Sequence, residues 1–411
     1  MPLEITAVGD AGFDDFCDAV EVGMNRPGGR GHGPFQRGLF AADVAAGRAI
    51  GAHDGGRVVG TFGNYRNTLA VPGGAAVPVG AVTAVTVAPT HRRRGILTAM
   101  AATAFRQSAD AGEPLSILIP AEWPIYGRFG YGHATDEACY TFQTDRCAPV
   151  RPLPGTVELA PAEEWIPEAE AVYGRLRATT PGAIERSAMW WRRETGLETR
   201  DGKPTDKEWL YALYRDDAGT ARGAAYYKPE EGTWEGLVPD DTAEAYMIAE
   251  DYVARVRLLQ FLWEQDWLAT FTVDKCPVDD TWRHLMADPR RARQKQRYDV
   301  LWVRVLDTVA ALQARTYEGE GRLVLAVTDP AGYAEGVYAL EGGPAGASVR
   351  RTTQTPDLTL PVQTLGALYL GNHAATALSR VGEVTEERPG ALALADRMFK
   401  TAIPPYCVTW F

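Results

Sequence analysis

The sequence predicts an α+β protein: a mixed sheet flanked by helices, the same order of elements built a second time, then a smaller α/β domain. Three observations predict it. A β-rich run at 82–87 feeds a basic, glycine-containing turn and a helical stretch, and a short apolar strand follows. The order of strand and helix signals then recurs over 151–290 with different residues. Beyond a basic, polar stretch at 289–297, short strand-like runs alternate with short helices.

In the first block, 1–150, residues 4–8 read as strand and 13–22 as helix. The run Gly28-Gly29-Arg30-Gly31-His32-Gly33 has no strand before it and reads as a loop, not a phosphate cradle. Strands at 49–52 and 57–65 flank the Gly55-Gly56 hairpin turn, and Pro72-Gly73-Gly74 leads into the opening strand. Arg92, Arg93, Arg94 and Gly95 make up the next turn. A strand ending in such a turn at a helix start is an anion site: outward N–H groups, the helix dipole and guanidinium donors converge there. The helix, 96–111, sets Ile96, Leu97, Met100 and Phe105 on a core face. Residues 115–120 form a continuous apolar run, suited to a strand buried on both sides. Tyr126-Gly127-Arg128-Phe129-Gly130-Tyr131 comes next, with Phe129 and Tyr131 as packing residues and Tyr126 free to face a cleft.

The second block, 151–290, repeats the order. Strand 156–159, helices 163–178 and 184–193, strands 209–214 and 221–228 around Asp216-Asp217-Ala218-Gly219, strand 244–251 and helix 256–267 are expected. No basic glycine turn joins that last strand to its helix, so this copy is expected to lack the anion site. Trp190, Trp191, Trp209, Trp263 and Trp267 read as core or interface. The stretch 289–297 reads as a solvated linker. The third block, 291–411, has strand-like runs at 301–306, 322–327, 336–340 and 358–360 and helical ones at 308–314 and 364–371.

Forty-two Lys and Arg against 53 Asp and Glu give a net charge of −11 over 411 residues. That surplus argues against nucleic acid, whose binding needs phosphate neutralisation; it suits cationic substrates and equally a charge that serves solubility alone. No run of about eighteen apolar residues can span a membrane, and residues 1–4 lack the features of a signal peptide. Five scattered cysteines and six unclustered histidines point to reduced thiols in the cytoplasm and to no metal site.

The turn His91-Arg92-Arg93-Arg94-Gly95-Ile96-Leu97 is similar to the R/Q-x-x-G-x-G/A loop of GCN5-related N-acetyltransferases, with Leu97 where Gly or Ala is usual. Tyr126 to Tyr131 resembles the Y-x-x-x-G-F/Y motif of the same fold. The pattern V-L-D…G-x-Y-x-L…D-L-T-L…L-G-A-L-Y-L-G over 305–371 resembles sterol-carrier-protein folds. Together the chain resembles the enhanced intracellular survival (Eis) family: tandem acetyltransferase folds, the second degenerate, and a sterol-carrier-like domain.

That resemblance implies an acetyl-CoA-dependent N-acetyltransferase, a homohexamer that acetylates several amines of aminoglycosides. It implies that Val85, Thr86 and Val87 offer backbone groups to pantetheine and that Arg92, Arg93, Arg94, Gly95, Ile96, Leu97 and Thr98 hold pyrophosphate. Ala121 and Glu122 would line the acetyl end, Tyr126 would be the general acid, and the α-carboxylate of Phe411 the base, with Glu122 as the alternative. A phenol with a pKa of ~10 matches a departing thiolate, whereas a terminal carboxyl at ~3.3–3.7 needs burial to become a useful base. The stretch 403–411 is apolar, uncharged and stiffened by Pro404 and Pro405, so it favours burial. Cys407 has no basic partner legible in sequence, so direct transfer in a ternary complex is expected over a covalent intermediate. A lysine-peptide acetyltransferase and a lipid carrier working through the third block are the alternatives.

Overall fold

In the computed structural model, residues 3–26, 41–199, 202–279 and 281–411 are described. The glycine run 28–33 lies outside them. Strands β1 (Glu4–Ala7), β2 (Ala49–Asp54), β3 (Arg57–Ala70), β4 (Ala76–Val87), β5 (Leu115–Leu118) and β6 (Gly132–His133) come first. They are followed by β7 (Asp136–Gln143), β8 (Thr156–Ala160), β9 (Leu210–Arg215), β10 (Ala221–Glu230), β11 (Asp241–Ala249), β12 (Leu268–Cys276) and β13 (Ala292–Asp299). The last are β14 (Trp302–Val305), β15 (Gly321–Thr328), β16 (Gly336–Gly343), β17 (Gly346–Arg351), β18 (Leu358–Pro361) and β19 (Thr385–Glu386). The helices used below are α1 (Phe13–Gly23), α2 (Ile96–Asp110), α3 (Trp123–Tyr126), α4 (Ala162–Thr179), α5 (Ala188–Glu194), α6 (Tyr252–Trp263), α7 (Thr308–Ala314), α8 (Val362–Tyr369), α9 (Ala375–Ser379) and α10 (Ala391–Phe399).

Two compact units result: Met1–Thr135 with Thr180–Glu185 and Asp299–Phe411, and Asp136–Thr179 with Arg186–Tyr298. The first unit holds a seven-stranded sheet in the order β1-β2-β3-β4-β5-β14-β6 and a five-stranded sheet in the order β17-β16-β15-β18-β19. The second holds β13-β7-β12-β11-β10-β9-β8. β4 and β5 run parallel, as do β11 and β12.

In the first sheet the apolar face of α2 sits where its spacing predicts. Ile96, Met100, Ala101, Ala104, Phe105 and Ser108 are buried against the β2–β5 surface. Each large apolar side chain there contributes about 1.5–3 kcal/mol. Beneath the far end of α2, Arg48 is buried and paired with Glu113 through Nη1–Oε2 at 3.0 Å and Nη2–Oε1 at 2.5 Å. The Asn64 amide donates to Ala104 O at 3.1 Å, so the same polar patch fixes the helix to β3.

Sheet membership departs from the contiguous blocks expected at 1–150, 151–290 and 291–411. Asp136–Gln143, expected within the first block, pairs with β12, and Trp302–Val305, expected to open the third, completes the first sheet. The reason is edge satisfaction. β5 is buried along its whole length, and an unpaired edge there would strand backbone polar groups. β14 covers it with four paired residues, Trp302↔Leu118 to Val305↔Leu115.

Close packing locks this seam. A Cβ on Gly132 would lie 1.8 Å from Gln363 O, and one on Gly366 would lie 2.1 Å from Val303 O, so α8 rests directly on β6 and β14. Arg304 of β14 is wholly buried. Its Nη2 donates to both Asp329 oxygens at 2.8 and 2.7 Å, and Asp329 also accepts from the Ala331 and Ala334 amides. Arg315, buried in the same unit, donates to Tyr369 O and, at 3.0 Å, to Phe399 O, the last carbonyls of α8 and α10. A cation there complements two helix dipoles.

Three local expectations shift. The stretch 289–297 is not a linker but a 3-10 turn, Pro289–Arg291, and the edge strand β13, whose side chains from Arg293 to Arg297 are exposed. Charged edge residues discourage further pairing. The helix expected at 184–193 begins at Ala188, because Ser187 accepts from the Trp190 amide at 3.1 Å while Ile184 bridges to Leu69. The helix expected at 256–267 spans Tyr252–Trp263, capped by Asp251. Among the expected tryptophans, Trp190, Trp191 and Trp263 are buried, whereas Trp267 is exposed and packs on Trp234.

Replacing Asp329 with Ala leaves Arg304 buried without a counter-charge. Chemical denaturation should show a loss of about 3–5 kcal/mol, well above that of a surface Asp→Ala control.

Candidate active site

β4 and β5 pair only from Val79↔Leu115 to Val82↔Leu118. Past Val82 the ladder to β3 breaks register between Thr61 and Gly63, and Ala84 takes a positive φ of 53°. The Thr61 hydroxyl holds this bulge by donating to Ala84 O at 2.8 Å. A bulge bends its strand, and here β4 parts from β5. The Ala88 amide donates to Val59 O on the β3 side. By strand alternation, the Val87 N–H and C=O point the other way, into the opening.

The basic turn closes the end of that opening. Gly95 caps α2 in the left-handed region, φ 79°, and among the described residues no side chain hydrogen-bonds the first amides of this fifteen-residue helix. Arg93 and Arg94 are exposed; Arg94 lies 4.0 Å from Asp54, whose carboxylate also meets His91 Nε2 at 3.1 Å. Arg92 is used differently. Its Nε donates to Val87 O and its Nη2 to Gly23 O, both at 3.2 Å. It therefore ties the end of α1 to the end of β4. Leu97 packs against the core under α2, and Thr98 is exposed.

The second unit provides an internal comparison. The helix after β11, α6, carries Asp251 at its cap, accepting from the Ala254 amide at 2.8 Å. A carboxylate already occupies the position an external anion would take.

Ala121 and Glu122 are exposed between β5 and the short helix α3. Tyr126 is buried within the cluster under α2, its ring 6.2 Å from that of Tyr131 in an edge-on contact. Tyr131 is the packing residue, its hydroxyl 2.7 Å from Ser116 Oγ. Tyr126 Oη makes no hydrogen bond to a described residue. Burial first, and the charge of Glu122 second, raise its phenol above the ordinary value, so the hydroxyl keeps its proton at neutral pH.

Residues 405–409 at the chain's far end are buried, Trp410 is exposed and Phe411 is half-buried. The Tyr406 amide donates to Pro181 O at 2.8 Å, and Gly182, next in that segment, donates to Ala70 O of β3 at 2.8 Å. A mid-chain segment thus fastens the tail to the first unit. Nothing in the sequence marked 180–185 for this role, since the contact is made by backbone groups. Cys407 is fully buried and contacts Thr409 O, consistent with packing. Among the described residues no helix is long and apolar enough to cross a membrane.

Comparison with known proteins identifies the domains. Residues 4–134 match an acetyltransferase (GNAT) domain model, 182–305 a second one, and 308–408 a sterol carrier protein domain. An N-acetyltransferase of Streptomyces avermitilis is 39% identical over 370 residues, covering 89% of this chain and 88% of the relative. The N-acetyltransferase Eis of Mycobacterium bovis is 34% identical over 380 residues, covering 90% and 89%. The crystal structure of Eis1 from Mycobacterium abscessus superposes with a TM-score of 0.85 at 31% identity, over all of both chains.

Removing the Glu122 charge should relax the phenol only in part. In a Glu122→Gln variant, the Tyr126 ring carbon, labelled with 13C and assigned through Tyr126→Phe, should titrate lower than in the parent yet still above free tyrosine. An unshifted titration would mean that Glu122 does not act on that hydroxyl.

Proposed function

The chain belongs to the Eis family of GCN5-related N-acetyltransferases, and on that premise we propose that it acetylates amines of small cationic molecules such as aminoglycosides, at more than one position, in a ternary complex. The observation that carries this reading is the open strand end beside an uncapped, arginine-flanked helix start, with a protonated phenol near the same opening.

The residues fit the cosubstrate of the family. The α2 amides from Gly95 to Thr98 and the Arg93 and Arg94 guanidiniums suit a pyrophosphate, and the Val87 N–H suits an amide of the pantetheine arm. When bound, acetyl-CoA supplies an acetyl group activated as a thioester. Tyr126 holds a proton at Oη for the sulfur that leaves, and Ala121 and Glu122 border the acyl end. In this proposal the Phe411 carboxylate takes the proton from the attacking ammonium. Glu122 is the fallback. The net charge of −11 favours cationic acceptors over anionic ones. A cytoplasmic homohexamer belongs to the same proposal.

Two outcomes check the reading. By calorimetry, Arg93→Ala should weaken coenzyme A binding about 10- to 100-fold, the worth of one hydrogen bond to a charged group. Gly95→Asp should weaken it more than Gly95→Asn, since both tolerate the backbone and only one repels the anion. Equal affinities across the set would remove the anion site. Separately, thiol release should be followed with an aminoglycoside, a polyamine and a lysine peptide, before and after a few residues are appended to Phe411. The extended protein should lose most turnover while folding normally; unchanged turnover would exclude the terminal carboxylate as base.

A further inference from the structure

One turn before Tyr126, Trp123 has a relative exposure of 57%. It is not a loose surface residue. Its ring lies 4.8 Å from the buried Trp302 at 82° and 5.5 Å from His133 at 72°. Both contacts are near-perpendicular, so neither neighbour stacks flat on it, and the indole is held in place while much of it stays open to solvent. Trp302 pairs with Leu118, the last residue of β5 before β4 departs. Trp302 also belongs to the apolar cluster that holds Tyr126, so the indole and the phenol share a packing neighbour. Residues three apart share one side of a helical turn, which places Trp123 and Tyr126 together. The Glu122 carboxylate, next in sequence, has no ion pair or side-chain hydrogen bond among the described residues, yet its charge reaches the Tyr126 phenol.

We propose that Trp123 is an ammonium subsite: its indole face receives a second, non-reacting protonated amine of the acceptor, and so selects multi-amine substrates. This rests on the acetyltransferase reading above and names how that site chooses its acceptor. The reacting amine must be neutral to attack, but the other amines of such a substrate stay charged. A cation over an indole face is attracted by the ring quadrupole, and the nearby carboxylate adds to the potential. A single-amine acceptor has no second cation to place there. The geometry thus separates recognition of charge number from the chemistry at Tyr126.

The test compares Trp123→Ala and Trp123→Phe with the parent by thiol release, using kanamycin and a simple monoamine such as benzylamine. Trp123→Ala should raise the KM for kanamycin about 3- to 30-fold, with kcat and the KM for acetyl-CoA within about twofold and the monoamine KM unchanged. Trp123→Phe should recover most of the loss. Equal rises for both amines, or a Trp123→Ala protein indistinguishable from the parent, would overturn the subsite while leaving the acetyltransferase standing. A folded parent protein that transfers acetyl to neither amine would instead remove the reading beneath it.

Discussion

β5 is the strand on which the first unit depends. It is four residues long and buried throughout, and it is paired on both sides: with β4 by a parallel ladder and with β14 by an antiparallel one. β4 and β14 each pair with all four residues of β5, so the strand is held on both edges up to Leu118, and β4 diverges only past that point. The bulge at Ala84 then opens a cleft in an otherwise continuous sheet. A local break in pairing is tolerable only where the remaining strand is fixed independently.

β14 couples the sterol-carrier-like domain to the sheet. Arg304 of β14 meets Asp329 in full burial, and α8 lies on β14 and β6 at distances only glycine allows. Such a pair contributes little net stability over an apolar replacement, but it is costly to break once formed. Its evident effect is geometric, since it fixes the C-terminal domain in register with the strand that supports the cleft. Arg315, seated at the ends of α8 and α10, turns part of that domain's interior into a polar junction.

The two copies of the acetyltransferase fold differ at one physically decisive position. Where a left-handed glycine precedes α2, an aspartate caps α6. Asp251 satisfies an amide and brings a negative charge to the helix start, which stabilises the helix and removes it as an anion site. Gly95 does neither, and the exposed Arg93 beside it remains available. Arg92 is the exception within that turn, because its guanidinium already serves two backbone carbonyls.

The sequence by itself determined what depends on neighbours along the chain. The apolar spacing of α2, the buried run Leu115–Leu118, the basic turn at Arg92–Gly95 and the packing role of Tyr131 were legible because periodicity, turn chemistry and side-chain size act locally. Helix starts were misjudged where a cap competes with apolar periodicity, at Ser187 and Asp251, although the capping oxygen was there to be read. Only the tertiary structure decided which strand closes β5, why 292–299 is an edge strand and not a linker, and how residues 180–185 fasten the tail. Those outcomes are made by backbone hydrogen bonds between distant segments. Every residue type offers the same N–H and C=O, so the pairing leaves no local mark in the sequence.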